Sequence, residues 1–497
     1  MYYLWKKRDH YECFVVFLRI RSTITILKTR GVRMNWLKIA QERQEELLTE
    51  LQQLIQIESV LDETKASKAV PFGEGPLAAL NFMLEKGTEQ GMTVKNIDNM
   101  AGHIEMGEGE DLLGILCHVD VVPAGDPATW MYPPFEARIV DGKLFGRGAI
   151  DDKGPTMAAW LAMKMIKDAG IKLDKRVRMI IGSDEETGFR CVDRYFEQEE
   201  MPAIGFAPDA DFPLINAEKG ISHLVFSQKT PRTANEKLVS FEAGKRTNMV
   251  PEKAIATLQV VSHNAEENFQ KFLMENKAHG SFTHTGENYI ITVKGKSAHA
   301  MEPEKGINAA VLLAKFLITE LEIGAGADFV RFIVELFDGD HFGTSLNLNF
   351  EDAMSGQTTL NPGIVRFGQN GGTIEVSMRY AVSYSFEEKI TAAQVILGAK
   401  PFALDIADNS APHYVSEEDE LVQTLLEVYR KYSGDFSAPL STGGGTYARV
   451  MKKGVAFGML FPGEPELAHQ ADEFVIIENL VKAAAIYAEA IVKLATK

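Results

Sequence analysis

Disulfide chemistry has little to work with in this chain: among 497 residues there are three cysteines, Cys13, Cys117 and Cys191. So few thiols exclude a disulfide-stapled secreted scaffold and point to a reducing compartment, the cytoplasm. Cys117 lies in an apolar run, where a thiol is inert packing. Basic charge is scarce as well. Lys and Arg number 52 against 69 Asp and Glu, a net charge of -17, so a broad cationic face for a phosphate backbone is missing and nucleic-acid binding is excluded as a main activity. A clean bilayer-spanning run is also absent. The apolar stretch at residues 13–27 is broken by Arg19 and Arg21, which are costly at a bilayer centre, so stable membrane association is not expected. What remains is ordinary for a globular protein, 45% hydrophobic and 24% charged, with enough chain for two or three domains.

Residues 1–33 differ from the rest, with eight Lys or Arg against two acids. Met34 is followed at once by an amphipathic pattern, with Leu47, Leu48, Leu51, Leu54 and Ile55 on one face. The expectation is that translation starts at Met34 and that 1–33 is a non-native extension; a basic amphipathic anchor is the alternative.

Residues 112–117, 177–181 and 204–207 are short, continuously apolar stretches, the pattern of strands buried on both faces of a parallel sheet. Each runs into acids or an imidazole: His118 and Asp120, then Asp184, Glu185 and Glu186, then Asp209. In open α/β sheets ligands bind at that C-terminal edge. Asp141-Gly142 predicts a tight hairpin. Between residues 219 and 411 the texture changes. Alternating stretches at 289–293, 345–350 and 373–381 predict half-buried strands, and 308–322 and 386–397 predict helices. The expected fold class is therefore α/β. A discontinuous catalytic domain, 34–218 and 412–497, holds a largely parallel mixed sheet flanked by helices, and a separate α+β domain, 219–411, is inserted into it.

Candidate chemistry centres on residues 146–155, GRGAIDDKGP. A carboxylate has two oxygens, so Asp151 on a glycine-punctuated turn could face two cations; capping of the following helix is the plainer explanation of the same acid. His118 and Asp120, two apart at a strand end, project the same way, and a carboxylate beside an imidazole fixes its tautomer. Glu185 and Glu186 are adjacent and so point differently, letting one bind metal while the other handles a proton; an acidic helix start would explain them equally. Asp209 could simply open a turn, and His469, in GEPELAHQADEF, could be an ordinary loop histidine. Taken together, His118, Asp151, Glu186, Asp209 and His469 offer two imidazoles and three carboxylates. That set suits a pair of Zn ions sharing one aspartate, with Mn or Co also compatible.

The ordered motifs LCHVDVVPAG, GRGAIDDKGP, DEETG, PDADFP with NAEKG, KGKSAHAMEPEKGINAA and HQADEF resemble the dinuclear zinc peptidases that include aminoacylase, carnosinase and the bacterial dipeptidase V group, the last most nearly. The resemblance covers residues 34–497 and fails for 1–33. It implies that His118 and Asp209 hold one ion, Glu186 and His469 the other, and Asp151 both. Asp120 would orient His118, Glu185 would be the general acid/base, and the Asp151–Asp152 bond would be cis. The inserted domain would be a lid. Its His299 would donate to the oxyanion, while Asn248, Arg379 and the backbone of Gly443, Gly444 and Gly445 would hold the substrate. Without the resemblance, His299 is a structural histidine before a helix, Arg379 a surface ion pair and the glycines a turn. A lid carrying its own histidine implies a monomer. The implied activity is metal-dependent hydrolysis of dipeptides, β-alanyl-histidine among the candidates. N-acyl amino acid and succinyl-diaminopimelate deacylases share the chemistry, but the full lid counts against them. A metal-dead binding scaffold is opposed by the intact Glu185 and the five ligands.

Overall fold

The computed structural model describes residues 34–233 and 236–496; the expectation for 1–33, and Cys13, lie outside them. Two sheets of opposite character organise these residues. The first is a mixed nine-stranded sheet in the order Thr93–Ile97, Ala101–Met106, Arg176–Gly182, Leu112–His118, Ile204–Ala207, Gly454–Ala456, Ile215–Glu218 and His413–Tyr414, with Leu440–Thr442 paired to Ile215–Glu218 off that path. Its centre is parallel: Leu112–His118 lies between Arg176–Gly182 and Ile204–Ala207, both running its way. All seven residues of Leu112–His118 are buried.

The continuous apolar runs are explained by what covers each face. Side chains alternate across a strand, so Ile115, Cys117, Met179 and Ile181 pack into one layer while Leu116 and Ile180 pack into the other. The first layer contains the helices Lys153–Asp168 and Ile477–Ala495. The second holds Cys191 and Tyr195 of the short helix Arg190–Phe196, with Tyr447. The fold is thus α/β, a mixed sheet flanked by helices.

The second sheet is antiparallel and eight-stranded, in the order His279–Thr285, Asn288–Lys294, Lys253–Leu258, Leu238–Ala243, Thr359–Gly368, Gly371–Tyr380, Gly220–Gln228 and Phe402–Ser410. Burial alternates along Gly220–Gln228, as expected where only one face is packed. That face meets the helices Ala309–Leu317 and Ala325–Phe337 in a core of its own. The chain passes between sheets at two neighbouring points. Only Lys219 separates Ile215–Glu218 from Gly220–Gln228, and the return runs through Ala411 into His413–Tyr414, which pairs back onto Glu218 and Ala217.

Two local expectations are corrected. Residues 345–350 do not form a strand: Thr344–Leu346 is a single 3-10 turn closed by Asn347 in the left-handed region, its backbone N–H groups at Phe342, Gly343 and Ser345 gathered by the Asp340 carboxylate. Alternating polarity there reflects a tight turn with an Asx anchor, not a pleat. The helix expected at 308–322 is shorter, Ala309–Leu317, capped by the Asn308 side chain. Asp141 and Gly142 do make the hairpin turn, both at positive φ, between Arg138–Val140 and Lys143–Phe145.

Candidate active site

Three parallel strands deliver their acids to one edge, and two loops complete the cluster. His118 ends its strand fully buried. Its Nδ1 lies 3.0 Å from the Asp120 carbonyl and 3.5 Å from Asp120 Oδ1. A carbonyl can only accept, so Nδ1 carries the proton and Nε2 presents a lone pair. That lone pair faces acids: Asp151 Oδ1 is 3.2 Å away and Asp209 Oδ2 3.6 Å. On the other side of Asp151, Oδ2 lies 3.0 Å from His469 Nε2, which is also 3.0 Å from Glu186 Oε2. The two oxygens of Asp151 therefore face two different groups. One is His118, Glu185 and Asp209; the other is Asp151 itself, Glu186 and His469, each with donor atoms within 4.8 Å of one another.

The donor set fits divalent cations. His118 Nε2 and Glu186 Oε1 are buried without a hydrogen-bond partner, and a lone pair aimed at carboxylates is repulsive unless a proton or a metal cation lies between them. Two imidazoles with carboxylates at these distances form an N/O set of the zinc, manganese or cobalt kind.

The electrostatics carry the same signature. Burial opposes protonation of His118, yet contacts with Asp120, Asp151 and Asp209 raise its pKa well above the usual value. Bonds to Asp151 and Glu186 raise His469 to about 11. Burial raises Asp151, but the close imidazoles of His118 and His469 prevail and hold it below the carboxylate range. Burial pushes Glu186 up to about 7 and raises Asp209. It also drives Glu185 well above the ordinary range, opposed by His118 and reinforced by Asp209, Glu186 and Asp151. Four carboxylates converge at one place, and protons or cations there balance their charge.

The cluster is fixed by carboxylates that grip the backbone of neighbouring loops. Asp120 accepts from the N–H of Glu185 and of Glu186, 3.1 Å each, so its carboxylate mainly aligns the two glutamates, and its carbonyl makes the closer contact with His118. Asp152 has no capping bond at the start of its helix; its Oδ2 instead accepts from His118 N–H and Thr156 Oγ1, both at 3.0 Å. The Asp151–Asp152 peptide is cis. Glu473 binds the Ile150 and Asp151 N–H groups. From the sequence, Asp152 is named beside Asp151 without this role and Glu473 is not named; it sits next to Asp472 in HQADEF, where one acid does not stand out from the other.

The second sheet approaches this edge. The segment carrying His299 pairs with the Asn248 loop: Ala300 N–H donates to Asn248 O and Val250 N–H to Ala298 O, 2.9 Å each. Asn361 Nδ2 bonds the carbonyls of Thr247 and Met249 on either side of Asn248, also at 2.9 Å. His299 Nδ1 accepts from Met301 N–H at 3.2 Å, which leaves Nε2–H as the outward donor. Although His299 is exposed at its surface, desolvation by the surrounding protein, then the charges of Arg379 and His469, lower the ring to about 4, so it is neutral at neutral pH. Arg379 is 6% exposed. Its Nη1 donates to Gly443 O at 3.1 Å and its buried Nε has no partner. Gly443 is needed at that contact, because a Cβ there would lie 2.7 Å from Met301 Cβ. Gly444 N–H is already committed to Thr442 Oγ1 at 2.9 Å.

Residues 114–493 match the family described as Peptidase family M20/M25/M40. A Bacillus subtilis (strain 168) protein described as "Putative dipeptidase YtjP" is 46% identical over 93% of this chain and 100% of its own length. Among solved structures, an M20 family metallo-carboxypeptidase of Sulfolobus solfataricus superposes with a TM-score of 0.54 at 16% identity, over 90% of this chain and 98% of its own. Human carnosine dipeptidase 1 does so at 0.51 and 14%, over 93% and 99%. At such identities these two speak for the fold alone.

Proposed function

The chain belongs to peptidase family M20/M25/M40, and from that premise we propose that it is a two-metal dipeptidase of the dipeptidase V type, acting as a monomer in the cytoplasm. The observation that carries the reading is Asp151, whose two oxygens face two separate ligand groups 3.0–3.2 Å from an imidazole on either side. His118 and Asp209 would hold one ion, Glu186 and His469 the other, and Asp151 both. Divalent ions held there, zinc first among them, would supply the Lewis acidity that makes water nucleophilic near neutral pH.

The chain's own residues supply the rest. Glu185 stands beside His118 and Asp209 with a raised proton affinity, suited to taking a proton from the attacking water and returning it to the departing amine. Asp120 holds Glu185 and Glu186 in register through their N–H groups. His299 offers Nε2–H to the carbonyl oxygen as it gains negative charge. Arg379, buried and with Nε unpartnered, grips the substrate carboxylate, and Asn248, exposed on a loop braced by Asn361, contacts the backbone beside it. Gly445, at the end of the Gly443 loop, would offer its backbone to the substrate. The bond from Arg379 to Gly443 O, made within one chain, supports the monomer reading. An arginine at one end favours substrates whose carboxylate lies one residue from the scissile bond.

The test is a panel of dipeptides, including β-alanyl-histidine, with tripeptides, N-acyl amino acids and succinyl-diaminopimelate, assayed after chelation and after add-back of Zn, Mn or Co. Dipeptides are expected to be cleaved best and only with metal. Preference for tripeptides or acyl amino acids overturns the substrate assignment.

A further inference from the structure

Glu473 and Arg147 lie behind the metal-ligand cluster. Both are buried, at 0% and 2% exposure, and Arg147 Nη1 meets Glu473 Oε2 at 2.5 Å. A buried ion pair contributes little net stability, because desolvation offsets its attraction, so its use is sought in what else it touches. The other oxygen, Glu473 Oε1, accepts from Ile150 N–H at 3.0 Å and Asp151 N–H at 3.4 Å. The Glu473 carbonyl accepts from Gly146 N–H at 2.9 Å, and the next residues, Phe474–Ile476, pair antiparallel with Lys143–Phe145. Glu473 therefore joins the loop that carries His469, four residues upstream, to the turn that carries Asp151. Arg147 anchors the join. Its N–H donates to Pro134 O at 2.8 Å, and its guanidinium lies 5.2 Å from the centre of the Trp130 ring. Among the described residues no bond runs from this pair to His118, which Asp120 and Asp152 hold, or to Asp209.

We propose that Glu473 and Arg147 are a positioning pair that fixes Asp151 against His469 and so sets the affinity of one of the two metal positions, the one bounded by Asp151, Glu186 and His469, more strongly than that of the other, to which Asp151 contributes its second oxygen. Glu473 sets the direction of the Asp151 backbone. Arg147 neutralises Glu473, so the clamp adds no uncompensated charge beside an already acidic cluster. The inference rests on the two-metal reading of the site.

Titration calorimetry of the chelated full-length protein with Mn²⁺, with electron paramagnetic resonance of the loaded protein, separates the two ideas. The unaltered chain is expected to bind two ions, seen as a spin-coupled pair. Glu473→Gln is expected to weaken one step about tenfold to hundredfold, the range for partners behind metal ligands, to weaken the other less, and to replace the coupled signal with that of an isolated ion. Arg147→Gln should do the same. If either variant fails to fold, Glu473→Asp, which withdraws the carboxylate from the Ile150 and Asp151 N–H groups, gives the same selective loss. Two unchanged affinities in a folded variant, or equal weakening of both, overturn the positioning role. A single ion in the unaltered chain overturns the two-metal reading instead.

Discussion

The mixed sheet and the antiparallel sheet contribute to the candidate site by different physical means. On the mixed sheet the candidate groups His118, Glu185, Glu186 and Asp209 end or follow buried parallel strands, and carboxylates of one loop hold the backbone of the next: Asp120 holds Glu185 and Glu186, Asp152 holds His118, and Glu473 holds Asp151. On the antiparallel sheet His299 and Asn248 are exposed. They share one short pairing of loops and are carried on a unit joined to the rest at two adjacent crossings. The first half is preorganised for charge, and the second is presented to it. Variants on the mixed sheet should therefore change metal content or chemistry. Variants on the antiparallel sheet should change substrate handling and leave the metal alone.

The sharpest division is expected from two acids. Asp151→Ala should abolish turnover together with metal pairing, as elemental analysis would show. Glu185→Gln should lower kcat by about 10²–10⁴-fold, the range for a general acid/base, with metal content unchanged; a variant that lost both would return Glu185 to the ligand set.

Next comes His299→Ala, expected to lower kcat by about 10²–10³-fold at unchanged metal content. The ratio should be the same at pH 6 and pH 8. A ring lowered to about 4 by desolvation and by Arg379 and His469 is neutral at both, gaining a proton only as the pH falls towards 4. A ratio that changes between those pH values would show the ring titrating near its ordinary value.

Arg379→Met should raise KM for dipeptides about tenfold to hundredfold, as expected for loss of charged hydrogen bonds, and leave the corresponding dipeptide amides nearly unaffected. Equal effects on acid and amide would place the carboxylate elsewhere. The smallest effect is expected from Gly443→Ala. Its new methyl meets Met301 and should cost about 1 kcal/mol of packing between the sheets, about fivefold in KM, with both metal affinities intact.

The same contrast explains what could be read from the chain. The acids following 112–117, 177–181 and 204–207 were visible because a fully buried parallel strand has an unmistakable run of apolar residues and a defined end. The grip of Asp120 on the glutamates was not, since a backbone N–H leaves no mark on residue type. Glu473 acts across more than 320 positions, beyond any local pattern. In the antiparallel unit alternation alone was ambiguous, and residues 345–350 showed it, where an Asx-anchored turn imitates a pleat. Asn361 was equally hidden, because its partners are carbonyls of another loop.

The central claim is that Asp151 faces two cation positions at once, and anomalous diffraction from crystals grown with zinc tests it most directly. The account predicts two peaks about 3.5–4 Å apart, one beside His118 and Asp209, the other beside Glu186 and His469, with one oxygen of Asp151 on each. A single peak, or a pair with Asp151 bound to only one ion, would contradict it.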